Sequence, residues 1–188
     1  MKKLFAIIAA LAVFSIVSCQ KNETDDISTN DKTEQLSNCI YYTTADGKKL
    51  TPYQTGSACF GAQLVSNTYT DGQGVLVFDD TITSIGDEAF RSCYNLASIS
   101  IPNSVTNIGA HAFNSCSSLT SVTIGESVTS IGDYAFRNCS SLTSITCKAE
   151  NPPTIGYDVF YDVSKSIPVY VPCGCVGAYK AKNGWEDF

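Results

Sequence analysis

The chain has 188 residues, a length that suits one ordinary domain with a processed end. Charged residues make up 16% and apolar ones 44%, so most of the chain is expected to fold. The formal net charge is -6, with no basic run beyond Lys2-Lys3 and Lys48-Lys49. That argues against a nucleic-acid backbone as partner, since such binders need clustered lysine and arginine.

The first segment has two lysines, an apolar run from Leu4 to Val17, and then Ser18-Cys19. The run is too short to span a bilayer, which takes about 20 apolar residues. Residues 1–18 have the layout of a signal peptide. Ile16-Val17-Ser18-Cys19 resembles the bacterial lipobox, in which the cysteine is acylated and becomes the first mature residue. That resemblance implies a membrane partner through a lipid anchor on Cys19 and a bacterial outer-membrane lipoprotein. Each buried CH2 contributes roughly 0.8 kcal/mol, so several acyl chains hold where one would not. Cleavage removes two lysines and leaves a more acidic chain. Residues 19–38 lack an apolar period and read as a disordered tether. The acidic Glu23, Asp25 and Asp26 resemble a surface-export signal of Gram-negative lipoproteins, which implies exposure on the cell surface. A plain solvated linker would have the same composition.

Residues 39–72 precede any clean period and are expected to form an N-terminal capping module, with Asp46-Gly47 and Asp71-Gly72 as turns. Cys39 and Cys59 lie in it, outside the repeat, and a bridge between them is possible in an exported protein. From residue 73 to 171 one pattern recurs. Phe90, Phe113 and Phe136 are 23 apart, as are Ile85, Ile108 and Ile131, and Cys93, Cys116 and Cys139. A fixed period in the twenties is the mark of a solenoid turn. Within a turn, Ile99 and Ile101 alternate with Ser98 and Ser100, which is strand period. Pro102-Asn103-Ser104 is turn chemistry, and Gly109 allows a sharp bend or a positive φ. Ala112, Phe113 and Cys116 have the spacing of one face of a short helical segment. Shifted by one period, Leu76 and Phe78 take the positions of Ile99 and Ile101. In the other direction Ile155-Gly156 and Phe160 fall one residue late, with Pro152-Pro153 absorbing the extra residue and Val169 and Val171 in strand positions. Residues 172–188 are expected to close the stack, with Tyr179 and Trp185 over the last turn.

Ile131-Gly132-Asp133-Tyr134-Ala135-Phe136 and Cys139-Ser140-Ser141-Leu142, with their two upstream copies, resemble the BspA-like leucine-rich repeat family of bacterial surface proteins. The implied fold is an α/β solenoid: a short stack of 23-residue turns, each a β-strand plus a short helical segment, capped at both ends. The implied role is a non-enzymatic interaction module of the adhesion type, whose partners would be host or matrix proteins, glycans or other envelope proteins. The alternative is a structural or accessory envelope subunit with no ligand of its own.

Chemistry is sparse. His111 is the single histidine, at a repeat position that also holds Glu88 and Tyr134, and is expected to be exposed. A serine or cysteine triad, or an ordinary zinc site, would depend on it. Asp79, Asp80, Asp87, Glu88, Glu126 and Asp133 are the carboxylates from which a glycosidase pair would be drawn. They fall in turns and outward positions, and Asp87 and Asp133 are placed to cap a short helix. Cys93, Cys116, Cys139 and Cys147 read as small core residues, and Cys173-Gly174-Cys175 as packing or a local turn. No cofactor or metal is expected. What remains is surface. Ser98, Ser100, Ser121, Thr123, Ser144 and Thr146 form a hydroxyl-bearing sheet face that can accept a polar ligand, or can serve as an inert soluble exterior.

Overall fold

The structure is a computed structural model and describes residues 36–188. The expected signal peptide, Cys19, and the acidic cluster that follows it lie outside the described residues. The described chain runs Cys39–Thr44 (β1), Ser57–Phe60 (α1), Leu64–Thr70 (β2), Gln73–Phe78 (β3), Ser84–Ile85 (β4) and Leu96–Ser100 (β5). It continues with Asn107–Ile108 (β6), Ser121–Ile124 (β7), Ser130–Ile131 (β8), Ser144–Cys147 (β9), Thr154–Ile155 (β10), Val169–Tyr170 (β11) and Val176–Lys180 (α2).

Strands β4, β6, β8 and β10 form one parallel ladder, and β5, β7, β9 and β11 a second, so the chain coils through about four turns. The register follows the 23-residue step, with Ile99 against Val122 and Ile85 against Ile108. It slips by one at the last turn, where Thr154 pairs with Ser130 and Val169 with Ile145. β7 and β9 alternate half-buried hydroxyl residues with fully buried Val122, Ile124, Ile145 and Cys147. Period 2 puts one set in the core and the other outside.

The core is a column of aromatic rings. Phe90, Phe113, Phe136 and Phe160 stack at 5.2, 5.0 and 5.6 Å with nearly parallel planes. These separations sit close to the strand spacing of about 4.8 Å, so each turn brings one ring onto the last. The column ends edge-on in both directions, against Phe60 at one end and Trp185 at the other.

Three expectations change. First, the Ala-Phe-x-x-Cys segment is not helical but a series of turns. Its alternate N–H groups leave the local chain and bond to the next turn. Glu88 donates to Ala110, Phe90 to Ala112 and Ser92 to Asn114, at 2.9, 2.7 and 2.8 Å. Left-handed residues recur every four positions, at Glu88 and Ser92, His111 and Ser115, Tyr134 and Asn138, and Asp158 and Asp162. They turn the backbone so that this third wall is laddered between turns, which an α-helix with its bonds along its own axis cannot be.

Second, Leu76 and Phe78 do not lie next to the repeat strand. β1 inserts between β3 and β5 and pairs antiparallel with both, giving the order β11-β9-β7-β5-β1-β3-β2. Tyr42 sits over Gly74, where a Cβ would meet its ring, and its hydroxyl donates to Asn67 Oδ1 at 2.6 Å. β3 therefore keeps the direction of a repeat strand but stands one strand further out.

Third, the repeat glycine is required by contact rather than by φ. A Cβ on Gly109 would come within 2.5 Å of the Asp87 backbone N, and one on Gly132 within 2.7 Å of the Ala110 N. The adjacent turn passes too close for a side chain.

Candidate interaction surfaces

Ser98, Ser121 and Ser144 stand in register across β5, β7 and β9, and Ser100, Thr123 and Thr146 form the neighbouring row. All six are half-buried. The two rows extend beyond the repeat. Thr43 lies opposite Ser98 and Tyr41 opposite Ser100 on β1, with a 2.7 Å hydroxyl contact between Thr43 and Ser98. At the far side Tyr170 lies opposite Thr146 and is 59% exposed. One row thus reads Tyr170, Thr146, Thr123, Ser100, Tyr41, Val75, Thr68 across all seven strands. It contains no charged residue. The periodicity marks the six hydroxyls but not Tyr41 and Thr43, which arrive by antiparallel insertion.

The turn wall carries the charge. Glu88 pairs with Arg91 three residues on. His111 is half-buried rather than exposed: its ring stacks on Tyr134 at 4.9 Å and Nδ1 faces the Asn114 amide at 2.9 Å. Arg137 lies over Tyr134 and Tyr161, at 5.2 and 4.5 Å to the ring centres. Asp87 and Asp133 do not cap helices. Each Oδ1 accepts a backbone N–H from the next turn, Ala110 and Tyr157 respectively, at 2.7 Å. The other candidate carboxylates include Asp79, which accepts the Gln63 N–H at 2.8 Å, and Asp80, which accepts its neighbour's. Among the described residues no group of three or more His, Cys, Asp or Glu is placed to hold a metal ion.

The cysteine ladder is structural. Cys116 and Cys139 donate to the carbonyls of Phe90 and Phe113 at 3.1 and 3.2 Å, each one turn back. Cys93 makes the same bond to Thr51 at 3.5 Å. Burial pushes the Cys93 thiol to about 11 and the Cys139 thiol to about 12, and raises Cys116 as well. Little thiolate exists at neutral pH, and the thiolate is the reactive form. The Cys39–Cys59 bridge does not form, and both are free thiols. Cys39 sits on β1 opposite Val77, whereas Cys59 lies on α1 beside Gly86 and its carbonyl accepts the Ser84 hydroxyl. The two belong to different walls of the stack.

The BspA type leucine rich repeat region matches residues 69–176 in six copies, more than half of the chain. The chain belongs to the BspA-type leucine-rich repeat family. Solved structures similar to it include a leucine-rich repeat protein of T. pallidum, at 25% identity and TM-score 0.40 over 54% of this chain and 51% of that one. Another comes from Bacteroides capillosus, at 26% identity and TM-score 0.43 over 73% and 96% of the two chains. A third, from Bacteroides ovatus, has 22% identity and TM-score 0.41 over 72% and 37%. The chain spans about half the length of the T. pallidum protein and less of the B. ovatus one. No curated protein matches it. Membership in this repeat family suggests a protein-interaction module.

Proposed function

We propose that the chain is a non-enzymatic lipoprotein, held in the bacterial outer membrane through Cys19 and displayed on the cell surface, which binds a protein or glycan partner through the face of its seven-stranded sheet. Residues 39–72 and 172–188 close the two ends of the stack, and 19–38 act as its tether. The observation that carries the reading is the uncharged row from Tyr170 to Thr68, which joins hydroxyls to two tyrosines across a continuous sheet. Aromatic and hydroxyl side chains supply contact area and adaptable hydrogen bonds at low entropy cost, which is why such mixtures recur at binding surfaces. The lipid anchor is supported by the sequence Ile16-Val17-Ser18-Cys19.

The test has two arms. Protease shaving of intact cells, with a lysed control, reads the location. Loss of the repeat domain from intact cells supports surface display, whereas protection until lysis favours an accessory subunit facing the periplasm. Binding to immobilised matrix proteins then reads the face. Ser121→Lys with Ser144→Lys should abolish it while the melting temperature holds, and unimpaired binding by that double variant refutes the sheet face.

A further inference from the structure

The last turn departs from the repeat at two outward positions. The inter-turn hydrogen bonds align Tyr157 with Asp133 and Ala110, and Tyr161 with Arg137 and Asn114. Both positions therefore carry small or polar residues in the preceding turns and tyrosine only here. Neither ring belongs to the core column: Tyr157 is 65% exposed and meets Tyr134 edge-on at 5.5 Å, and Tyr161 is 53% exposed beneath Arg137.

They line a depression of about 640 Å³ between residues 155–161 and the C-terminal segment 183–187, a size ordinary for small-ligand sites. Its polar groups are Asp158, Asn183, Asp187 and Lys165. The Lys165 ammonium is already engaged, since it donates to the Phe160 carbonyl at 3.2 Å and lies over the Phe188 ring at 4.5 Å. The remaining groups are two carboxylates and a carboxamide, so the site offers mainly hydrogen-bond acceptors. Arg137 stands behind this lining, over the Tyr161 ring and 4.0 Å from Asp158 Oδ2.

We infer that this depression is a binding site for a neutral oligosaccharide. Pyranose rings present an apolar C–H face, which suits an open tyrosine ring, and a rim of hydroxyl donors, which suits carboxylate and carboxamide acceptors. Lys165 and the neighbouring Arg137 balance Asp158 and Asp187, so the site carries no net charge and suits an uncharged glycan. The site does not rest on the sheet face, which belongs to another wall of the stack.

The test is calorimetric titration of the purified full chain with cellohexaose, xylohexaose, maltohexaose and N-acetylchitohexaose, with heparin as the anionic probe. Saturable binding of at least one neutral probe is expected. Tyr157→Ala and Tyr161→Ala should each weaken it about ten-fold, as loss of one aromatic contact would. Asp187→Asn should weaken it as well, with melting temperatures unchanged in all three because these side chains lie outside the core. Ser121→Lys with Ser144→Lys should leave it intact, which separates this site from the sheet face. No binding of any neutral probe at millimolar concentration overturns the assignment. So does binding that survives both tyrosine variants, or binding of heparin alone.

Discussion

Replacing Trp185 with alanine removes the ring that ends the aromatic column. Trp185 is 3% exposed and meets Phe160 edge-on at 5.6 Å and Tyr179 at 5.3 Å. Its indole N–H donates to the Pro153 carbonyl at 2.8 Å. Truncating a buried tryptophan costs about 3–5 kcal/mol, because burial of the ring is forfeited and a void is left in its place. The Pro153 carbonyl is also deprived of that donor, so the upper half of the range is expected. For a folded region of this size each kcal/mol lowers Tm by about 2–4 °C, so Trp185→Ala should melt roughly 8–20 °C lower. Far-UV circular dichroism is the assay, because Trp185 is the single tryptophan and its fluorescence vanishes with it. Trp185→Phe, which keeps a ring but loses the donor, should fall in between. A Tm within about 2 °C of the parent would refute the reasoning, because the last turn would then be stable without that ring.

Gly109→Ala should cost about 1–3 kcal/mol through overpacking against Asp87, whereas alanine at Gly47, which meets nothing, carries only the strain of a positive φ. Urea unfolding of the two variants measures the difference. Ser92→Gly should raise stability by up to about 1 kcal/mol, because φ at Ser92 is 55° and glycine accepts that conformation without its Cβ penalty. A loss of stability in the same unfolding assay would count against strain at that column. Alkaline pH should destabilise the stack. The folded Cys93 and Cys139 thiols are raised to about 11 and about 12, so below the ordinary thiol value their contribution is fully present. As pH climbs through that value toward 12 the unfolded chain releases protons that the folded one keeps, and stability falls. Cys139→Ala should show a shallower fall in Tm between pH 9 and 11.

Much of this molecule is written in its sequence, because a repeated turn leaves a repeated trace. The positions of Ile99, Val122 and Ile145 in the core, the hydroxyl rows beside them, and the late register of Ile155 and Val169 all follow from period 2 within a period of 23. One turn cannot bury its apolar side chains alone, so every turn must carry the same ones. Cys116 and Cys139 were readable as core for the same reason, although their bonds to the previous turn's carbonyls were not. The tertiary structure decided what periodicity does not encode. β1 enters the sheet by antiparallel pairing with strands far along the chain, a choice made by Tyr42 over Gly74 and by the pairing of Tyr41 with Ser100. It separates Cys39 from Cys59 and brings a tyrosine to the hydroxyl face. The wall that reads as helix is made of turns because its N–H groups find carbonyls on the neighbouring coil, and that bond exists only once the coils are stacked.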